Sequence, residues 1–196
     1  LLMAPSIKLL GTEQQKKDWV AKWAAAEELC CQLFSEPGAG SDLANVSTKA
    51  ERDGDEWILN GQKVWSSGAQ FSPWGMAVCR TNNELPKHKG ITVFIVPMDA
   101  PGLEVRQIQQ MSGGTSFNEV FFTDVRVPDA YRVGDIGEGW KVALTVLGFE
   151  RGSSNGSSRV GGNWAQAKAL AQHLGVTDDP VIRDDLARLY SQYRIM

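Results

Sequence analysis

The chain has 196 residues and 42% apolar content, enough for one large domain or two small ones around a sizeable core, and its 20 basic against 23 acidic residues, with no Lys/Arg run, argue against nucleic acid as a partner. Three cysteines, Cys30, Cys31 and Cys79, make no even disulfide framework and point to a reducing cytoplasm, while His88 and His173 are too few for the usual zinc site, so no metal is expected. No apolar stretch approaches the roughly 18 residues of a membrane span and no signal sequence opens the chain, so a soluble protein is expected.

Residues 12–25 read as a helix, because Thr12 followed by Gln15 is a capping-box pattern and Trp19, Val20 and Trp23 recur on one face. From Leu29 to about Val133 the texture changes to short runs rich in Val, Ile, Phe and Trp. Turn signals at Asp53-Gly54-Asp55, Asn60-Gly61 and Pro101-Gly102 break these runs, which predicts an antiparallel sheet or barrel. The clearest strands are Glu56–Leu59, Gly75–Arg80, Ile91–Pro97 and Asn118–Val127, and in the last Val120, Phe122 and Val125 alternate only imperfectly with polar neighbours.

After Gly137 the period returns to helical, with Trp140, Ala143, Leu144 and Leu147 spaced to bury one face. Gly and Ser become dense from Gly152 to Gly162, which lets a helix approach another backbone or a flat ligand. Asp179-Pro180 reads as an N-cap with proline at the first helical position, and Ile182, Leu186, Leu189 and Tyr193 form the stripe of that helix. The sequence ends at Met196 inside this pattern, which suggests a longer polypeptide. The fold class expected is α+β, an antiparallel β-barrel or sheet domain flanked by helical segments.

Chemistry concentrates in the string Ser35-Glu36-Pro37-Gly38-Ala39-Gly40-Ser41-Asp42, where a strand enters a turn with two glycines, a proline and hydroxyl side chains. Such a loop can bring backbone N–H groups against a ligand, and it is also the composition of a tight turn with an Asx or Ser cap. The string is followed by Asn60-Gly61-Gln62-Lys63-Val64-Trp65-Ser66-Ser67, then by Phe94-Ile95-Val96 and Val125-Arg126-Val127-Pro128. In order and spacing these segments resemble the acyl-CoA dehydrogenase family, over nearly the whole chain.

The resemblance implies the end of an N-terminal helical domain at residues 1–28, a middle β-domain at 29–136 and the start of a C-terminal helical domain at 137–196, with FAD held between β-domain and helices. It implies that Gln32, Phe34 and Ser35 on the strand and Gly40 and Ser41 in the loop contact the flavin. Ser35 would bond the ring edge near N5 or O4, and Ser41 the phosphates or the pantetheine arm of CoA. Hydroxyls and amides suit that role because they stabilise partial charge without adding a competing ion. Trp65 and Ser67 match a second contact, an indole packed near the ring with a hydroxyl two residues later; alone, Trp65 also reads as a core tryptophan.

The implied reaction is removal of the α-proton of an acyl-CoA by a carboxylate, with hydride transfer from the β-carbon to flavin N5, leaving a trans-2-enoyl-CoA. Such a base works best where apolar burial raises its pKa. Glu150, after the apolar run Val146-Leu147-Gly148-Phe149, matches the base position of some subfamilies, whereas others place the base in a later segment that this chain does not contain. Arg151 matches a position near CoA, and Glu150 with Arg151 also reads as a helix-surface or interdomain ion pair. Electron-transfer flavoprotein as acceptor, a role in lipid catabolism by beta-oxidation and a homo- or hetero-oligomer are implied in the same way.

Two departures stand out. Where members that bind FAD across a dimer usually carry Arg-x-x-Phe-Gly, this chain reads His173-Leu174-Gly175-Val176-Thr177-Asp178-Asp179-Pro180, and Gln32 stands where an aromatic residue is frequent. They leave two other readings open: a non-catalytic partner subunit of a heteromeric dehydrogenase, and a flavin monooxygenase or nitroalkane-type oxidase of the same fold.

Overall fold

The structure, a computed structural model, describes residues 2–157 and 164–195, and the side chains of 152–157 and 195 are left aside. Of the Gly/Ser-rich stretch from Gly152 to Gly162, residues 158–162 lie outside the described residues. The chain divides into two compact units, Leu1–Phe149 and Glu150–Met196.

The first unit opens with α1 (Met3–Leu10), α2 (Glu13–Gln15), a π-helical turn (Lys16–Val20) and α3 (Ala21–Ala24). Thr12 and Gln15 form the expected capping box, each side chain accepting from the other's backbone N–H, at 3.2 and 3.0 Å. The Gln15 amide also donates to the carbonyls of Ala130 and Arg132, both at 2.8 Å, which ties the helices to the sheet. Across the π turn, Trp19 and Trp23 stack with centroids 5.6 Å apart, and Trp19 meets Trp74 and Tyr131 edge-on.

Eight strands follow: β1 (Cys30–Leu33), β2 (Lys49–Asp53), β3 (Glu56–Lys63), β4 (Trp74–Arg80), β5 (Ile91–Pro97), β6 (Leu103–Ile108), β7 (Phe117–Pro128) and β8 (Arg132–Val133). Their order is β6-β7-β3-β2-β4-β5-β8, with β1 beside β4. β1 and β2 meet β4 in parallel and every other pairing is antiparallel, so the sheet is mostly antiparallel; it stays open rather than closing into a barrel. It nonetheless curls, because Trp57 on β3 packs on Phe94 of β5 at 5.2 Å although β2 and β4 lie between those strands in the sheet.

β4 and β5 are buried on both faces. Met76, Val78, Ile91, Val93 and Ile95 face the helical layer, and Ala77, Cys79, Phe94 and Val96 face the inside of the curl against Leu33, Leu59, Val120 and Val125. Two-sided burial explains why these strands read as unbroken apolar runs, and each large side chain buried there contributes roughly 1.5–3 kcal/mol. Gly75 lets β1 lie this close to β4, since a Cβ there would sit 2.3 Å from Cδ1 of Leu33.

The imperfect alternation of β7 has a specific cause. Leu59 pairs with Val125 and Gly61 with Phe122, so β7 carries one extra residue in a β-bulge, where Asp124 adopts a φ of 51° and exchanges hydrogen bonds with Asn60.

The helix after Gly137 is α4 (Gly139–Ser157). Its buried face is Val142, Ala143 and Val146, flanked by the partly buried Trp140 and Leu147, whereas Leu144 is 43% exposed. Ala143 and Leu147 belong to the face as expected, but its centre is rotated toward Val142, because β-branched side chains seat against β5 and Leu144 falls on the outer side. In the second unit, α5 (Trp164–His173) ends at Gly175, whose φ of 68° closes a Schellman turn through the bonds from Val176 N to the Ala171 carbonyl and from Gly175 N to that of Gln172. Asp179 caps α6 (Pro180–Ile195), accepting from the amides of Val181 and Ile182. Ile182, Leu186 and Leu189 face Leu170, Ala171 and Leu174 across a groove of about 280 Å³, and Tyr193 at the end of the expected stripe is 55% exposed.

Candidate functional site

The two motif strings meet at one place in the first unit. Ser35 follows β1, and its carbonyl accepts from the amide of Val64 at 2.9 Å, which sets the turn after β3 directly against the strand-to-loop turn after β1. Within each string, alternate residues go opposite ways. Phe34, Glu36, Lys63, Val64 and Ser66 are buried; Ser35 and Gln32 are half-buried; Gly40, Ser41, Trp65 and Ser67 are exposed. The aromatic ring of Phe34 belongs to the hydrophobic core, and the residue is 3% exposed.

What holds the inner residues is an ion pair that sequence reasoning did not identify. Lys63 is fully buried, and its three ammonium donors reach the Glu36 carboxylate at 2.7 Å and the carbonyls of Val78 at 2.6 Å and Phe34 at 3.2 Å. Glu36 in turn accepts from the amides of Ser47 and Thr48 and from the Ser47 hydroxyl, at 2.6, 2.9 and 2.8 Å. Burial pushes the Glu36 carboxyl up, but Lys63 and these hydrogen bonds outweigh it and hold it at about 2. Burial likewise pulls Lys63 down, against the opposing pull of Glu36; with three acceptors converging on Nζ, the geometry is that of an ammonium. One signal for this pair was present: Trp57, Leu59 and Lys63 share the same parity along β3, and the first two are core residues.

Three further contacts fix the outer groups. Glu36 exchanges both backbone hydrogen bonds with Ala39, which closes the Pro37-Gly38 turn and launches Gly40 and Ser41. Arg80 is 7% exposed and donates to the carbonyls of Ala44, Val46 and Lys87, bracing the segment after Ser41. Asn118 grips Ser66 from both sides, its carbonyl accepting from Ser66 N at 3.0 Å and its side-chain amide donating to the Ser66 carbonyl at 2.8 Å. With Ser66 drawn inward, Trp65 and Ser67 turn outward. Trp65 is 59% exposed at a φ of 61°, a left-handed conformation uncommon for a bulky residue, and its ring rests edge-on against Phe117.

Among the described residues, the hydroxyls of Ser35, Ser41 and Ser67, the indole N–H of Trp65 and the backbone N–H groups of Gly40 and Ser41 make no hydrogen bond within the chain. A Cβ on Gly40 would meet no atom within 4 Å, so neither crowding nor a left-handed φ within this chain requires glycine there. These groups are donors without an intramolecular hydrogen-bond partner beside an exposed indole, the chemistry that suits a planar heterocycle with an anionic linker.

Glu150 and Arg151 follow one another on α4, at the start of the second unit, and both are exposed. His173–Pro180 forms the turn between α5 and α6. Among the described residues there is no group of three His, Cys, Asp or Glu able to hold a metal ion, no helix long and apolar enough to cross a membrane, and Cys30, Cys31 and Cys79 are thiols.

Residues 31–125 match the family profile "Acyl-CoA dehydrogenase, middle domain". The whole chain aligns at 42% identity with acyl-CoA dehydrogenase IpdE1 of Mycobacterium tuberculosis, covering 51% of it, so the chain spans about half the length of the curated relatives it matches. Among solved structures, the Tcur3481-Tcur3483 steroid ACAD superposes with a TM-score of 0.76 at 37% identity, over 99% of this chain and 50% of that one. The ChsE4-ChsE5 complex from Mycobacterium tuberculosis superposes with 0.71 at 32% identity, over 98% and 51%. With the sheet, the two motif strings and these matches in agreement, the chain belongs to the acyl-CoA dehydrogenase family and carries its middle domain.

Proposed function

We propose that the protein to which this chain belongs is a FAD-dependent acyl-CoA dehydrogenase that converts an acyl-CoA thioester to a trans-2-enoyl-CoA. The observation that carries the reading is the outer row of Ser35, Gly40, Ser41, Trp65 and Ser67, whose hydroxyls, indole N–H and Gly40 and Ser41 amides make no hydrogen bond within the chain. Bound FAD supplies a two-electron acceptor for the hydride that leaves the β-carbon. The chain's own residues do the rest: Ser35 and Ser67 donate to the polar edge of the ring, Trp65 covers it and excludes water, and the Gly40 and Ser41 amides meet phosphate oxygens. Gln32 and the backbone of Phe34 flank Ser35 on the same strand, and the Ser41 hydroxyl also reaches the pantetheine arm of the substrate.

Glu150 takes the α-proton, and Arg151 meets the anionic CoA moiety. Glu150 is exposed among the described residues, and a base of this kind works best in apolar surroundings. Electron-transfer flavoprotein is the acceptor that re-oxidises the enzyme, the three thiols fit a reducing cytoplasm, and a steroid-type thioester leads the substrate candidates because a steroid ACAD is among the structural relatives.

Anaerobic titration of the full-length protein with a panel of straight-chain, branched and steroid acyl-CoAs tests this. The oxidised flavin band should bleach with at least one thioester, and Glu150→Gln should keep the flavin and lose the bleaching. A protein without flavin absorbance, or one that no thioester bleaches, rejects the proposal; full bleaching in Glu150→Gln moves the base elsewhere.

A second reading is favoured by two observations: the turn His173–Pro180 lacks the arginine and phenylalanine of Arg-x-x-Phe-Gly, and two structural relatives are named as pairs of different chains. In that reading the protein assembles with a related but different chain that completes the FAD site. Co-purification of that chain, with activity surviving Glu150→Gln, would establish it.

A further inference from the structure

The buried ion pair lies in both motif strings and touches neither outer surface. Lys63 carries one end of β3 and Glu36 the start of the loop after β1, and both charges are completely hydrogen-bonded within the fold. Burying two charges is costly, and hydrophobic residues of similar volume often serve stability as well or better, so stability alone does not account for a pair at 0% and 3% side-chain exposure. What the pair does uniquely is geometric. Ser35 is held between two residues bonded to Lys63, the Phe34 carbonyl and the Glu36 carboxylate, while its own carbonyl takes the amide of Val64, next to both Lys63 and Trp65. The Glu36 carboxylate also holds Ser47 and Thr48, beyond the turn that the Glu36 backbone closes with Ala39 to launch Gly40 and Ser41. One ammonium thus sets the spacing of three groups of outer residues that belong to two separate loops.

We propose that Lys63 and Glu36 are positioning residues for the cofactor: their ion pair fixes the distance and orientation of the Ser35, Gly40–Ser41 and Trp65–Ser67 edges, and its loss weakens flavin binding beyond any loss of folding stability. This rests on the flavin reading of the same surface. A hydroxyl or indole displaced by even an ångström loses a directional contact, so the penalty falls on affinity as well as on rate.

The test is titration of FAD into the deflavinated full-length protein, followed by fluorescence, beside the melting temperature of the same flavin-free samples. Three variants are compared with the parent: Glu36→Gln, the double variant Glu36→Gln/Lys63→Met, and Val93→Ala, a core truncation in β5 facing the helical layer. The expected result is a dissociation constant raised at least about tenfold in both pair variants, while Val93→Ala, with a comparable drop in melting temperature, keeps the parent's value. Dissociation constants within twofold of the parent in folded pair variants overturn the proposal, and so does equal weakening in Val93→Ala, which would make the pair merely structural. Should the double variant fail to fold, Glu36→Gln, which keeps the size and one of the two acceptor oxygens, decides by the same criterion. A parent that binds no FAD is a different failure, that of the flavin reading itself, and it is visible before any variant is made.

Discussion

The inner and outer rows of the two motif strings differ by one residue in sequence and by everything in environment. Glu36 and Lys63 are 5% and 0% exposed with every polar atom engaged inside the fold, whereas Trp65, two positions from Lys63, is 59% exposed in a left-handed conformation. A motif of this sort is therefore two things interleaved: a scaffold of buried charge and a presented edge of donors and indole. The scaffold should fail through stability and geometry, and the edge through ligand binding with little change in folding.

The largest separation between them comes from Lys63→Met alone. It strands the Glu36 carboxylate in the interior and should cost about 3–5 kcal/mol, read as a lowered denaturation midpoint, whereas adding Glu36→Gln should restore most of it. Additive losses in the double variant would break the distinction, because the two residues would then act independently.

Acid exposes the same pair. Glu36 is held at about 2 against an ordinary 4.5, so its contribution is complete above pH 4.5 and is lost as pH falls toward 2, worth roughly 3 kcal/mol over that window. Asp129, held at about 2 by Arg132, burial opposing, and by the Trp57 indole, loses its contribution over a neighbouring window. Melting temperature against pH for the parent and Glu36→Gln should converge below pH 4.5; parallel curves would show that Glu36 does not carry the effect.

On the outer row the expected changes are smaller and of another kind. Trp65→Gly removes a left-handed φ that costs a bulky residue about 1 kcal/mol, so folding should stay within about 1 kcal/mol of the parent while flavin affinity drops. Ser41→Ala, at an exposed position, should alter stability by less than about 0.5 kcal/mol and still weaken the flavin complex. A cooperative loss of folding in either variant would place these residues in the scaffold.

The legible parts of the fold were those whose pattern is local. The Thr12–Gln15 capping box, the doubly buried β5 and the Asp179-Pro180 helix start all follow from neighbouring residues. β2 went unnamed because Lys49–Asp53 contains one apolar residue, Ala50, and β6 because the alternation of Leu103–Ile108 lasts only four residues before Gln107 breaks it. The bulge in β7 was visible only as a broken period, since its cause is the register with β3. In the site, the donors Ser35, Ser41 and Ser67 and the indole of Trp65 could be named from the strings, but the Glu36–Lys63 link could not. Charged residues ordinarily signal surface, and the partners are 27 positions apart, so only the shared parity of Lys63 with Trp57 and Leu59 along β3 betrayed its inward direction.

The most direct measurement is hydrogen exchange by mass spectrometry on the full-length protein with and without FAD. Added FAD should slow exchange in peptides covering 39–42 and 65–68, while the amides of Ser47, Thr48 and Val64, already bonded in the scaffold, change little. Unchanged exchange at 39–42 and 65–68, with FAD bound and protection appearing elsewhere, would contradict the assignment of the outer row as the flavin-holding edge.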